Sequence, residues 1–199
     1  MVRHAIKRTA QAIALVVAFP CALVTMFGHL RPIFTFFSQL LALGPGLPGD
    51  YLRSAYYKLT LRQCSIDTTI SFGTHFVRRE SALGEFVSIG SYCVIGGATI
   101  GPGTQIGSHV LIPGGRHQHS RDASGNLTST QYSEISIGNR CWVGDGAILM
   151  ADIGENSTIG AGAVVTKPIS AGVVAVGNPA RPLIRGVQLT DEQHIGHPN

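Results

Sequence analysis

Two histidines separated by one residue stand in the segment Gly114-Gly115-Arg116-His117-Gln118-His119. Imidazole changes charge near neutral pH, so His117 or His119 is suited to take a proton from a hydroxyl and serve as a general base. An acidic neighbour can orient such a ring, and Asp122 and Glu134 are the nearby carboxylates. Further along, cationic groups recur at Lys167 and Arg181, where they suit an anion. Near the front, His75 and the run Arg78-Arg79-Glu80 break an otherwise regular pattern.

That pattern is what must position them. Ten times an aliphatic or aromatic residue is followed directly by glycine, mostly at steps of six, from Phe72-Gly73 through Ile159-Gly160, and Ala171-Gly172 continues the run more weakly. A hexapeptide period indicates a parallel β-helix. One copy cannot bury its apolar residue alone, whereas stacked copies share a core. Two positions before each aliphatic residue, on the same face of a strand, the side chain is small or slim: Cys64, Val87, Cys93, Cys141, Ala147, Ala163. Three hexapeptides make a coil, and coils stack at about 4.8 Å. The spacing gives five to six coils between Cys64 and Gly177. The following glycine fits a corner needing positive φ or close approach. The period stops after Ile112, and residues 113–134 form one long excursion that holds both histidines.

The same positions account for three of the four cysteines as slim core residues. This placement argues against a disulfide framework, no Cys-x-x-Cys pair exists to suggest structural zinc, and a reducing compartment is the natural setting. Charged residues are 13% of the 199, against about 25% in ordinary soluble domains, and the net charge is +4. The basic residues are scattered, with no nucleic-acid motif.

The charge deficit lies mostly at the N-terminus. Residues 9–28 carry no charge, a length that could span a bilayer as a helix. A second apolar stretch, 33–43, is too short to span, and Gly44-Pro45-Gly46-Leu47-Pro48-Gly49 punctuates strongly. A single span, a cleaved signal and a buried soluble hairpin all compete with a re-entrant or in-plane hairpin kinked at Pro20, which is the preferred reading. Arg3, Lys7 and Arg8 before it, and Arg53, Lys58 and Arg62 after it, favour both ends on the cytoplasmic face. Asp50 reads as the N-cap of a short helix reaching about Gln63. The expected organisation is therefore a membrane-associating helical segment at 1–49, an amphipathic connecting helix at 50–63, a β-helix at 64–187 with its loop at 113–134, and a flexible tail at 188–199.

Residues 64–187 resemble the hexapeptide-repeat acyltransferases, close to membrane-associated polysaccharide and sugar O-acetyltransferases. The repeat carries part of the likeness. The run Ile137-Gly-Asn-Arg-Cys-Trp-Val-Gly-Asp-Gly-Ala-Ile, then Ile159-Gly-Ala-Gly-Ala-Val-Val-Thr-Lys-Pro-Ile and Gly177-Asn-Pro-Ala-Arg181, carries the rest. The resemblance implies a left-handed coil, a hand that spacing alone does not give. It also implies acetyl-CoA as acyl donor, a homotrimer whose groove lies between neighbouring β-helices, and a saccharide or lipid-linked glycan as acceptor, at the cytoplasmic face of the inner membrane. The family's Gly-x-x-His pattern falls on His117; in some membrane-linked relatives the position of His119 matches instead, and both stay candidates. Gly144, Ala147, Gly162 and Ala163 match the wall along the pantetheine, with Trp142 flanking it. Thr166, Lys167 and Arg181 match positions near the nucleotide phosphates. His75, Arg116 and Asp122 are the candidates for meeting the acceptor. No metal is implied. A γ-class carbonic anhydrase shares the β-helix and could draw on His109, His117 and His119, although its His-x4-His spacing is absent. A non-catalytic, membrane-anchored trimeric scaffold is the other alternative.

Overall fold

The computed structural model describes residues 2–28, 31–114, 124, 126 and 132–183. From Gln63 onward the chain winds as a three-faced parallel β-helix whose strands are mostly two residues long. Each face is a stack of strands contributed by successive coils. On the second face Ile70, Ile89, Ile106, Val143, Ile159 and Ala175 stand in register. The third face runs from His75–Phe76 to Val164–Val165. The first face runs from Gln63–Cys64 to Ile135–Ile137 and continues through single-residue bridges at Ile153 and Ile169. Five coils are complete. The step from Ile106 to Val143 is about twice as long as the others, because the excursion is inserted there.

The inward positions are those the repeat implies. Cys141 with Val143, and Ala147 with Leu149, are at most 2% exposed. Inward hydroxyls satisfy the coil backbone: Thr104 Oγ1 donates to the Gly138 carbonyl (2.7 Å) and accepts from the Cys141 N–H (3.0 Å). Burial pushes the Cys64 thiol up to about 11, as expected of a core residue rather than a reactive one. Most glycines of the repeat serve close approach rather than positive φ. A Cβ on Gly144 would sit 2.5 Å from the Ala161 backbone nitrogen of the next coil. The left-handed corner lies two residues later, at Gly146 (φ +70°), and at equivalent corners Phe86, Tyr92, His109, Arg140 and Asn156 adopt φ of 51–58°.

Three helices close the first coil: α1 (Val2–Gly28), α2 (Arg31–Ala42) and α3 (Gly46–Thr60). α1 is helical throughout, with Pro20 inside it. α3 starts four residues ahead of the expected N-cap. Pro45 precedes it, and Pro48 is tolerated in its first turn, where no intrahelical N–H bond is lost. Asp50 instead faces Arg53, 2.5 Å away. Arg53 is a second correction: read from sequence as part of a basic flank, its side chain is wholly buried. Its guanidinium donates to the carbonyls of Ile70 (2.8 Å), Leu41 (3.1 Å) and Gly44 (2.7 Å), tying α2 and α3 to the first coil. Beside it Tyr57 packs on Phe76 (centroids 4.7 Å apart) and shares a 2.7 Å hydrogen bond with Ser38.

α1 lies on the outer side of α3. Its buried stripe is small or polar: Gln11, Ala14, Ala18, Ala22 and Thr25. At one end Lys7 and Arg8 reach Asp67 in the first coil (2.8 and 3.2 Å). Towards the other, Thr25 meets Tyr56 (3.1 Å). At the far end of the β-helix the chain doubles back. Gly177 accepts from the Val164 N–H (3.0 Å), and Arg181–Pro182 pairs antiparallel with Val174–Val176.

Candidate active site

The three faces meet at three edges, and the turn from third to first face recurs once per coil. That edge gathers most of the side chains able to do chemistry. In the first coil it carries Arg78, Arg79 and Glu80, between His75–Phe76 and Ala82–Leu83. In the third coil it carries the excursion, between Leu111–Ile112 and Ile135–Ile137. In the fifth it carries Thr166 and Lys167, after Val164–Val165. The repeat does this by itself, since equivalent corners of stacked coils must lie above one another.

The excursion leaves and returns at one point. The Ser133 N–H donates to the Gly114 carbonyl (2.9 Å), which closes its base. Its returning end is held by two arginines. The Arg78 guanidinium lies over the Tyr132 ring, 3.8 Å from the centroid. Arg62 takes Glu134 with both nitrogens (2.6 and 3.0 Å), and Thr99 Oγ1 adds a short hydrogen bond to the same carboxylate. The hydrogen bond from Arg62 holds Glu134 below the usual carboxylate range. Glu134, weighed from sequence as a partner for the histidine, has its oxygens engaged elsewhere.

A cavity of about 300 Å³ opens at this edge, lined by Ser133, Glu134, Met150, Asp152 and Thr166 among others. It brings the end of the excursion beside Thr166. Lys167 is exposed on the same turn. Arg181 is exposed in the closing segment and donates to the neighbouring Ala180 carbonyl (3.0 Å). Trp142 stands outward on the second face, 52% exposed. Gly144 and Gly162 sit at the edge between second and third faces, Gly162 with φ +67°. Ala147 and Ala163 are fully buried in the coil interior, so only their backbone could meet a ligand. His75 is half-buried on the third face, paired with Val94. The structure therefore does not bring His75 or Trp142 to the edge that holds the excursion. Arg116, His117, His119 and Asp122 lie outside the described residues.

The family model for the bacterial transferase hexapeptide (six repeats) matches residues 134–167, the stretch that returns from the excursion and builds the next coils. The chain carries the bacterial transferase hexapeptide repeat. The hexapeptide-repeat chain is 44% identical over 62 residues to galactoside O-acetyltransferase of Escherichia coli K12, 30% of each protein. The curated relatives it matches are spanned over 25% to 38% of their own length. Among solved structures, a galactoside acetyltransferase in complex with coenzyme A superposes with a TM-score of 0.63 at 23% identity, over 77% of this chain and 80% of that one. A hexapeptide-repeat acetyltransferase of Vibrio cholerae O1 biovar eltor, complexed with acetyl coenzyme A, gives 0.60 at 17%, over 75% and 83%. At these identities the structures establish a shared fold for the hexapeptide-repeat chain, and the expected β-helix is borne out. The sequence marks Arg62 only as part of a basic flank and does not single out Tyr132, yet both hold the returning end of the excursion. Their only signal was position, just before the first repeat and just before the period resumes.

Proposed function

We propose that the chain transfers an acetyl group from acetyl-CoA to a hydroxyl of a saccharide or lipid-linked glycan. The observation that carries this reading is the single edge holding the base of the histidine-bearing excursion, a cavity, and Thr166 with Lys167. The galactoside O-acetyltransferase likeness over 62 residues supports the same chemistry, and the donor class follows the coenzyme A bound by the relatives of the same fold. In this reaction His117 or His119 takes the acceptor hydroxyl proton, the oxygen attacks the thioester carbonyl, and the tetrahedral intermediate expels the thiolate of CoA, which is then protonated. Lys167 and Arg181 are exposed cations suited to the donor's phosphates. In one copy the cavity at this edge is open to solvent, and a second copy in a trimer would supply its missing wall.

The helical layer supports a place at the cytoplasmic face of a membrane. α1 is long and apolar enough to cross one by length and composition. Its outer face exposes Ile13, Val16, Val17, Phe19, Leu23 and Val24, and α2 adds Phe36 and Leu40. Patches of this kind mark interaction surfaces, and each such side chain gains roughly 1.5–3 kcal/mol on leaving water completely. Both halves of α1 contact the same domain, through Asp67 and Tyr56, which favours an in-plane helix over a span with separated ends. Cytoplasmic CoA thioesters then remain accessible, and a membrane-anchored acceptor is concentrated nearby.

The test is release of free CoA thiol by the full-length chain in detergent, with acetyl-CoA and candidate glycans, coupled to a mass gain on the glycan. Absence of both with every acceptor class defeats the proposal. Fractionation of the full-length chain and of a chain starting near Asp50 tests the anchor; a full-length chain that stays soluble without detergent removes it.

A further inference from the structure

At the first-coil end of the same edge lies a second cavity, about 480 Å³, with Arg31, Arg62, Arg78 and Arg79 in its lining alongside Phe34 and Glu80. Four guanidinium groups are answered by Glu80 and by Glu134, which Arg62 already grips. Two of the cations are fixed for a structural reason. Arg62 is held by Glu134, and Arg79 Nε donates to the Thr60 carbonyl (3.3 Å), leaving the far end of its fork unassigned. Arg78 is oriented by stacking on Tyr132, which occupies the plane of the guanidinium and leaves its edge for a ligand. Among the described residues, neither Arg31 nor Arg78 has a hydrogen bond or ion pair. Like charges gathered without a matching set of anions repel one another, and such clusters persist where an anion completes them. Guanidinium forks match phosphate oxygens in geometry as well as charge.

The geometry points to this cavity as a binding site for a phosphate or diphosphate group. The surplus of two positive charges matches a phosphate dianion or a diphosphate. Its place adds a second constraint. Arg31 begins α2, whose exposed face carries Phe36 and Leu40, so the cavity opens where the apolar helical layer meets the β-helix. A phosphate carried on a lipid would enter at that level with its apolar chain along the helices. The backbone corner that carries Arg78 and Arg79 lies two coils from the base of the excursion, about 10 Å along the edge, and the Arg62 and Arg78 side chains reach across to its returning end. That separation lets a phosphate-bearing acceptor sit with a sugar hydroxyl near the excursion. The role as an acceptor subsite rests on the proposed transferase reaction; the anion site itself does not.

The test reads binding without turnover. Inorganic pyrophosphate is titrated calorimetrically into the full-length chain in neutral detergent. Saturable binding is expected, weakened about tenfold or more in Arg31→Gln/Arg78→Gln at an unchanged melting temperature. Arg31→Gln alone changes an exposed side chain and should show a smaller loss in the same direction. No binding, or equal affinity in the variants, overturns the proposal. Phosphatidylcholine vesicles with and without phosphatidic acid then separate the sources. Competition by the anionic vesicles assigns a lipid phosphate, and its absence assigns a soluble one. If CoA displaces pyrophosphate and itself loses affinity in Arg31→Gln/Arg78→Gln, the site belongs to the donor and the proposal fails. Thiol release from acetyl-CoA with an unphosphorylated sugar, measured in parallel, reports on the transferase reading separately.

Discussion

Arg62 and Glu134, 72 residues apart, close on each other at 2.6 Å and form the partition between two cavities on one edge of the β-helix. Arg62 faces the arginine-lined cavity and Glu134 faces the one beside Thr166. An ion pair this exposed contributes only about 0–1 kcal/mol to stability. Its effect should be on placement, because Glu134 fixes the returning end of the excursion. Glu134→Gln is expected to leave the melting temperature nearly unchanged while lowering turnover about tenfold or more, since small displacements of catalytic groups are costly. Steady-state kinetics beside a melting curve checks this; unaltered kcat and KM would remove the positioning role.

The histidines carry the chemistry in the proposed reaction. The double replacement His117→Ala/His119→Ala should cost about 10²–10⁴-fold in turnover with the fold intact. The two single variants then assign the base. Full turnover in the double variant would place the base elsewhere.

Asp67 anchors α1, and the direction of its titration sets the pH range of that anchor. The hydrogen bond from Lys7, then the one from Gln11, holds its carboxyl below the ordinary value of 3.8, against an opposing contribution from burial. A depressed carboxyl contributes stability that is present above the ordinary value and lost as pH falls through the lowered one. Amide protection in the first half of α1, taken relative to the intrinsic exchange rate at each pH, should therefore be steady from neutral pH to about 4, then fall under stronger acid. Asp67→Asn should show the faster exchange already at neutral pH. Equal protection in the variant and the parent chain would show that the apolar contacts alone hold α1.

Arg53 is the buried cation of the helical cap. Arg53→Met keeps much of the volume but strands the carbonyls of Leu41, Gly44 and Ile70 and leaves Asp50 without its partner. A loss of about 3–5 kcal/mol is expected from chemical denaturation. Arg53→Lys should recover only part of it, because an ammonium cannot reproduce the fork. A loss below about 1 kcal/mol would mean that water replaces the guanidinium.

A homotrimer is expected in detergent. Light scattering with the detergent contribution subtracted measures the mass. A monomer with undiminished thiol release would exclude any need for a neighbouring wall.

The β-helix was legible because its determinants are local. Inward positions such as Cys141 and Val143 are two residues apart, and a period of six makes every coil repeat the statement. The edge that gathers Arg78, the excursion and Thr166 follows from the same arithmetic, once corners are counted instead of strands. What was illegible depends on contacts between distant segments. Asp50 has the chemistry of an N-cap, but its carboxylate is used by Arg53, and α3 begins earlier. Arg53 looks like a surface cation until the carbonyls of residues 41, 44 and 70 converge on it. Arg62 and Tyr132 gain their roles only when the excursion closes. The repeat glycines were read correctly as corner residues, but stacking against the next coil selects most of them, and positive φ falls two residues on.

The doubling back of residues 177–182 has a consequence for how copies of this protein can meet. A β-helix is a column of short strands, and its terminal rung offers unpaired backbone groups to any similar column. Here Gly177 and Ala180 bond with Val164, and Arg181–Pro182 runs against Val174–Val176 with proline on the outside. The other end is plugged by α2 and α3. Growth along the column axis is therefore blocked at both ends, and end-to-end polymerisation into fibres is closed off. Copies are left to associate side by side, along the edges where the cavities open.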